Sequence, residues 1–208
     1  VEPKFSLVDA AENARRLDSN FFRSLVTRVN PGLDLLAASD RTSAAMADPA
    51  NLRAVISTAA YAFKFVVLDV PRADNTALEA LDGAASIVIV TNQDVATVRS
   101  AHRLATRLRR RYGAERVTAI VSRPDTQSPI AHADIERALG FEVADMIPSD
   151  YRVALQALNN GRPLALDNHN ALSGAIKTFA YRLAGVQPER KKAERASGLF
   201  GFLSPARR

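Results

Sequence analysis

Three short runs of β-branched and aliphatic residues lack any polar alternation: Phe65-Val66-Val67-Leu68-Asp69, Ser86-Ile87-Val88-Ile89-Val90-Thr91, and residues 117–121. Successive side chains of a strand point to opposite faces, so a strand apolar at every position must be covered on both. Helical patterns separate the runs. A short one covers residues 76–81. A long one covers 92–112, with Val95, Val98, Ala101, Leu104, Ala105 and Leu108 on one side and Gly113 as its stop. A third covers 130–139, ending at Gly140, and leads into a further strand over 141–147 closed by Pro148. Strands alternating with helices predict βαβ units connected right-handedly. The fold class is therefore α/β, a mostly parallel sheet with helices on both faces.

The flanks read more loosely. Residues 5–30 look helical, with Asp18 before Phe21, Phe22, Leu25, Val26 and Val29, and Asn30-Pro31-Gly32 breaks the pattern. Residues 33–38 have strand length. Asp48-Pro49 opens a helix with Leu52, Val55, Ile56 and Ala59 on its buried stripe. Asp150 caps a helix to about Asn159, and a last helix spans 172–183.

Composition removes whole classes of function. The 208 residues include no Cys, which excludes disulfide scaffolds and Cys-ligated metal sites. No apolar run reaches the ~18–20 residues of a membrane span, so a soluble cytoplasmic protein is expected. His102, His132 and His169 have no second His at metal-ligand spacing and read as surface histidines. No Gly-x-Ser-x-Gly, Gly-x-Gly-x-x-Gly or Gly-x-x-x-x-Gly-Lys-Ser/Thr occurs. The net charge is +6, and residues 188–208, with six bases and two acids, hold +4 of it. The near-neutral body argues against a nucleic-acid reader, although Arg103, Arg107, Arg109, Arg110 and Arg111 line one helix face. The tail joins Arg190-Lys191-Lys192 to Gly198-Leu199-Phe200-Gly201-Phe202-Leu203, a pattern suited to anionic lipid or to docking on protein.

Ligands of parallel sheets bind beyond the carboxyl ends of the strands, so the residues there are the candidates. Asp69 ends a buried-type strand, as does the acid that supports Mg²⁺ in phosphate-binding ATPases; a helix cap or turn acid is the plainer reading. Ser122-Arg123-Pro124-Asp125 suits either the border of a nucleotide base or a polar turn. Pro148-Ser149-Asp150 suits a loop with a helix cap.

Taken in order, Phe65-Val66-Val67-Leu68-Asp69-Val70-Pro71-Arg72, Val90-Thr91-Asn92-Gln93-Asp94, Ile147-Pro148-Ser149-Asp150-Tyr151 and Asn160-Gly161-Arg162-Pro163-Leu164 resemble the MinD/ParA superfamily of P-loop ATPases. Within it the resemblance is nearest to the CpaE/TadZ pilus-assembly proteins of Tad/Flp systems. Glu2-Pro3-Lys4-Phe5-Ser6-Leu7 and Pro31-Gly32-Leu33-Asp34-Leu35-Leu36-Ala37 are similar to text that follows the second strand in that branch. The resemblance implies an ATP- and Mg-binding homodimer that helps place a pilus secretion machine. It implies an ATPase-like domain over residues 1–187 and a tail, 188–208, whose residues 190–208 touch the inner membrane. Asp69 matches the acid that supports Mg²⁺, through water, and Pro71 and Arg72 match the switch segment after it. Ser122 and Arg123 stand near the adenine, where relatives carry Asn at the first position. Pro148 and Asp150 match a segment lining the base. The phosphate-binding lysines, glycines and first switch acid would lie upstream of Val1, which makes the chain a truncated member without catalytic residues of its own. A partition ATPase binding DNA non-specifically and a nucleotide-free scaffold are the alternatives.

Overall fold

The computed structural model describes residues 2–39, 41, 43–72, 74–166 and 170–187. Its centre is a parallel three-stranded sheet in the order β3 (Ile87–Thr91), β4 (Val117–Ser122), β5 (Val143–Ile147). Ile87 pairs with Val117 and Thr91 with Val121, and β4 meets β5 through one irregularity after Ala119.

The expected two-sided burial is there for β4 and in part for β3, whose Val90 is 62% exposed. Ile87, Ile89, Val117, Ala119 and Val121 face α5 (Val95–Tyr112) and α6 (His132–Leu139), packing on Val98, Ala101, Ala105, Leu108, Ile135 and Leu139. The alternate residues Val88, Ile120 and Ile147 face α8 (Ala171–Leu183), through Leu172, Ile176 and Phe179. Period-two alternation thus sends neighbouring residues of one strand into different cores.

A separate cluster holds the N-terminal third. There α1 (Leu7–Glu12), α2 (Ser19–Leu25) and α3 (Pro49–Ala62) bury Ala10, Phe22, Leu25, Val55, Ala59 and Ala62, with Phe22 edge-on to Phe63 at 6.0 Å. Asp18 and Asp48 cap α2 and α3 as expected. The helical pattern over residues 5–30 is divided: a 3₁₀ turn at Ala14–Arg16 parts α1 from α2, and β1 (Thr27–Asn30) pairs antiparallel with β2 (Leu33–Leu35) across Gly32, whose φ is +87°. That turn needs the left-handed conformation open to glycine, so the breaker makes a hairpin.

One expectation fails. Residues 65–69 form no strand, and Phe65, Val66, Val67 and Leu68 are all exposed. Apolar character cannot make a strand without a hydrogen-bonding neighbour, and among the described residues the sheet ends at β3. The chain rejoins the packed body at Val70, which lies against the sheet cluster, and continues into α4 (Asn75–Glu79).

Candidate functional site

The loops after β3, β4 and β5 lie at one end of the sheet because the three strands are parallel. Backbone and side-chain bonds then tie them together. The Arg123 N–H donates to the Ile147 carbonyl at 2.9 Å, fixing the loop after β4 to the end of β5. Arg123 has φ +54°, the only positive φ at a non-glycine among the described residues. Such a backbone is costly for a side-chain-bearing residue and persists where its surroundings impose it.

Gln93 is the other tie. Its amide oxygen accepts from the Asp125 N–H at 2.6 Å, and its amide nitrogen donates to the Ile130 carbonyl at 2.7 Å. Only an amide side chain offers a donor and an acceptor side by side. Sequence reading places Gln93 at a strand end without this role, since its partners lie more than thirty residues away. Beside it, Asp94 caps α5, accepting from the Thr97 N–H and hydroxyl, each at 2.8 Å. The bond from the Thr97 N–H, with the hydroxyl second, holds the Asp94 carboxyl below the ordinary carboxylate range.

The sequence-predicted residues fall into two groups. Ser122, Arg123 and Pro148 come together through the bond between β4's loop and Ile147. Asp150 sits just beyond, where its carboxylate accepts from the Val153 N–H at 3.1 Å and caps α7 (Tyr151–Asn159). The plainer reading of Asp150, a helix cap, is therefore present in the structure. Asp69, Pro71 and Arg72 form the second group, all three exposed. Arg72 donates to Ser100 Oγ at 2.8 Å, which holds the segment after Asp69 against the first turns of α5.

The basic face of α5 has an internal use. Arg107 donates to Asn75 Oδ1 at 2.7 Å, Arg111 bonds the Glu79 carbonyl, and Arg109 lies over the Phe141 ring at 4.5 Å. Cations at the carboxyl end of α4 complement its unpaired carbonyls. His102 meets the Leu139 carbonyl at 3.0 Å and His132 meets Glu136 at 3.1 Å; His169 lies outside the described residues.

ATP and magnesium can be tested against this donor set. Among the described residues no group of three His, Asp or Glu could hold a metal ion. Asp69 is a lone carboxylate, and no glycine-rich backbone cradle with its lysine occurs in the 208 residues. The phosphate and metal half of such a site does not fit this chain by itself. Two polar loops, those after β4 and β5, are held edge to edge at the carboxyl end of the sheet.

Comparison with known proteins agrees with the topology. The chain is 30% identical over 191 residues to a MinD-type septum site-determining protein of Chlorella vulgaris, covering 88% of this chain and 66% of that one. It is 22% identical over 187 residues to septum site-determining protein MinD of Bacillus subtilis (strain 168), covering 87% and 69%. It thus spans about two thirds of the length of these relatives. A ParA family ATPase from Chlorobium tepidum TLS superposes with a TM-score of 0.77 at 24% identity, over 86% of this chain and 77% of that one. MinD of Pyrococcus horikoshii OT3, complexed with Mg-ADP, gives 0.70 at 17%, over 88% and 74%. MinD of Aquifex aeolicus in complex with MinC gives 0.71 at 22%, over 90% and 76%. No protein-family model matches the chain. The parallel sheet with helices on both faces, and the relatives that match along most of the chain, make it a homologue of the MinD/ParA family of P-loop ATPases.

Proposed function

We propose that the chain is the base-side and switch-side part of a MinD-like localisation ATPase, whose phosphate loop is supplied from outside these 208 residues. One observation carries the reading. The loops after β4 and β5 are tied at the carboxyl end of a parallel sheet, where such folds bind ligands, and the Asp69 segment is held against α5. Adenine would sit against Ser122, Arg123 and Pro148, with Asp150 behind them. Asp69 would support Mg²⁺ through water, and Pro71 and Arg72 would respond to the nucleotide. The exposed apolar run at residues 65–68 supports the same reading, because an added neighbouring strand would cover it.

At a finer level we place the protein in pilus assembly of the Tad/Flp type, acting as a homodimer with pilus secretion proteins. It would be cytoplasmic, with inner-membrane contact through residues 190–208, beyond the body of residues 1–187. The motif order quoted above supports this placement. A MinD-type role in cell division is the competing assignment, and a fluorescent fusion separates the two. Polar foci lost on deletion of the pilus secretion genes support the pilus role; foci that follow the division site instead defeat it.

The nucleotide reading is tested by calorimetric titration of Mg-ATP into the 208-residue chain and into the chain extended upstream in its reading frame. Binding is expected only in the extended chain, and Asp69→Ala should remove its magnesium dependence. An extended chain that ignores Mg-ATP would leave a scaffold built on this fold.

A further inference from the structure

Helix α7 carries its apolar residues on the wrong side for a surface helix. Tyr151, Leu155 and Leu158 are spaced i, i+4, i+7 and share one face, within about 60° of arc. They are 74%, 39% and 77% exposed. The opposite face, turned inward, offers only Val153 and Ala157, both half-buried, and no residue of α7 is fully buried. Amphipathic helices ordinarily put the larger apolar stripe against the protein. An outward stripe of this kind marks a surface that something covers.

The same chain carries a segment of matching chemistry. Residues 188–208 lie outside the described residues, and their sequence contains Leu199, Phe200, Phe202 and Leu203. The path to α7 follows from α8. Ser173, in its first turn, donates to the carbonyl of Leu164, in the turn that follows α7. Arg182, in its last turn, bonds Ala144 and Asp145 at the start of β5. Helix α8 therefore runs from the α7 end of the sheet to the opposite end, and the chain leaves it there. Returning to α7 means recrossing the thirteen residues of α8, about 20 Å. Residues 188–198 number eleven, and a chain of that length reaches up to about 36 Å, beyond the distance required. A tethered segment able to reach its site acts there at a local concentration up to the millimolar range. A second molecule at micromolar concentration competes poorly against that.

We propose that Leu199, Phe200, Phe202 and Leu203 dock on the Tyr151, Leu155 and Leu158 face of α7 in the same chain. The tail is then self-covering: its apolar cluster and the α7 stripe are hidden together and released together. A lipid surface that takes the tail uncovers α7, and a partner that takes α7 frees the tail. The contact is independent of nucleotide and of the functional reading above.

Hydrogen exchange on the full 208-residue chain tests it, against the double variant Phe200→Ser/Phe202→Ser. The amides of residues 151–159 should exchange about ten-fold faster in the variant, with β4 and α5 unchanged as the control for folding. The reciprocal variant, Leu155→Ser/Leu158→Ser, should speed exchange in residues 199–203. Protection of α7 should not change on dilution. Equal α7 exchange in parent and tail variant overturns the proposal. So does protection that rises with chain concentration, which makes a second copy the cover, and so does protection seen only with anionic phospholipid vesicles, which makes lipid the cover.

Discussion

Residues 65–69 and β3 are close to interchangeable in composition and opposite in fate. Phe-Val-Val-Leu-Asp takes no regular structure and is bare, with Val67 at 93% exposure; Ile-Val-Ile-Val-Thr is a strand, with Ile89 at 5%. The difference lies in the neighbours. Helix α5 covers one face of β3, α8 packs on the other, and β4 takes its hydrogen bonds, whereas none of these serves residues 65–68. Local apolar character sets which segments can become buried strands. Pairing decides which of them do.

The sharpest test of that contrast is a matched pair of truncations. Ile89→Ala should destabilise the chain by about 3 kcal/mol, the usual cost of emptying a packed core position. Val67→Ala should change stability by less than about 0.5 kcal/mol, as surface substitutions do. Urea unfolding of both variants gives the comparison directly. A Val67→Ala cost as large as that of Ile89→Ala would mean the run is covered after all. Repeating the pair in an upstream-extended chain sharpens the point, since there the Val67 cost should rise toward the Ile89 value.

A smaller effect probes the boundary between the two regions. Tyr112, at the end of α5, donates its hydroxyl to the Leu78 carbonyl at 2.6 Å and so anchors α4, the first helix after the bare run. Tyr112→Phe keeps the ring and strips the bond, and about 1 kcal/mol should be lost in thermal or urea melts. No loss would show that α4 is held by apolar packing alone.

The smallest expected effect is a pH dependence at the head of α5. The folded state lowers the Asp94 carboxyl below its ordinary value of 3.8, through the Thr97 N–H and then the Thr97 hydroxyl. The stabilisation is therefore present at pH above that value and is lost as pH falls through the lowered folded value. Asp94→Asn still accepts the bond but carries no charge. The parent should be the more stable at pH 6, and the gap should narrow as pH falls below 3.8. A gap that does not narrow would detach the cap's contribution from its charge. Asp9, held low by the Ser6 hydroxyl and N–H and by Arg41, moves in the same sense in both proteins and cancels from the difference.

Much of the candidate site was legible because its positions follow from strand ends. Residues 87–91 and 117–121 announce themselves as runs without polar alternation, 143–147 follows a helix stop at Gly140 and ends at Pro148, and the polar residues after all three must then gather at one end of a parallel sheet. Asp18, Asp48 and Asp150 could be read as caps for an equally local reason, since each stands just before a helical pattern. Gln93 could not be read this way. Its partners, Asp125 and Ile130, become neighbours only when the loop after β4 folds back over the start of α5. The same holds for the arginines of α5, whose basic stripe suggests nucleic-acid phosphates and turns out in part to serve the carboxyl end of α4.

By itself, then, the amino-acid order determined the strands of the parallel sheet, the helices between them and the caps that start several of them. Those depend on periodicity and on groups within a few residues of each other. Tertiary structure decided which apolar run stays bare, which way α7 turns its stripe and what Gln93 holds. Each of these depends on what another part of the chain brings alongside, and spacing along one segment carries no record of that.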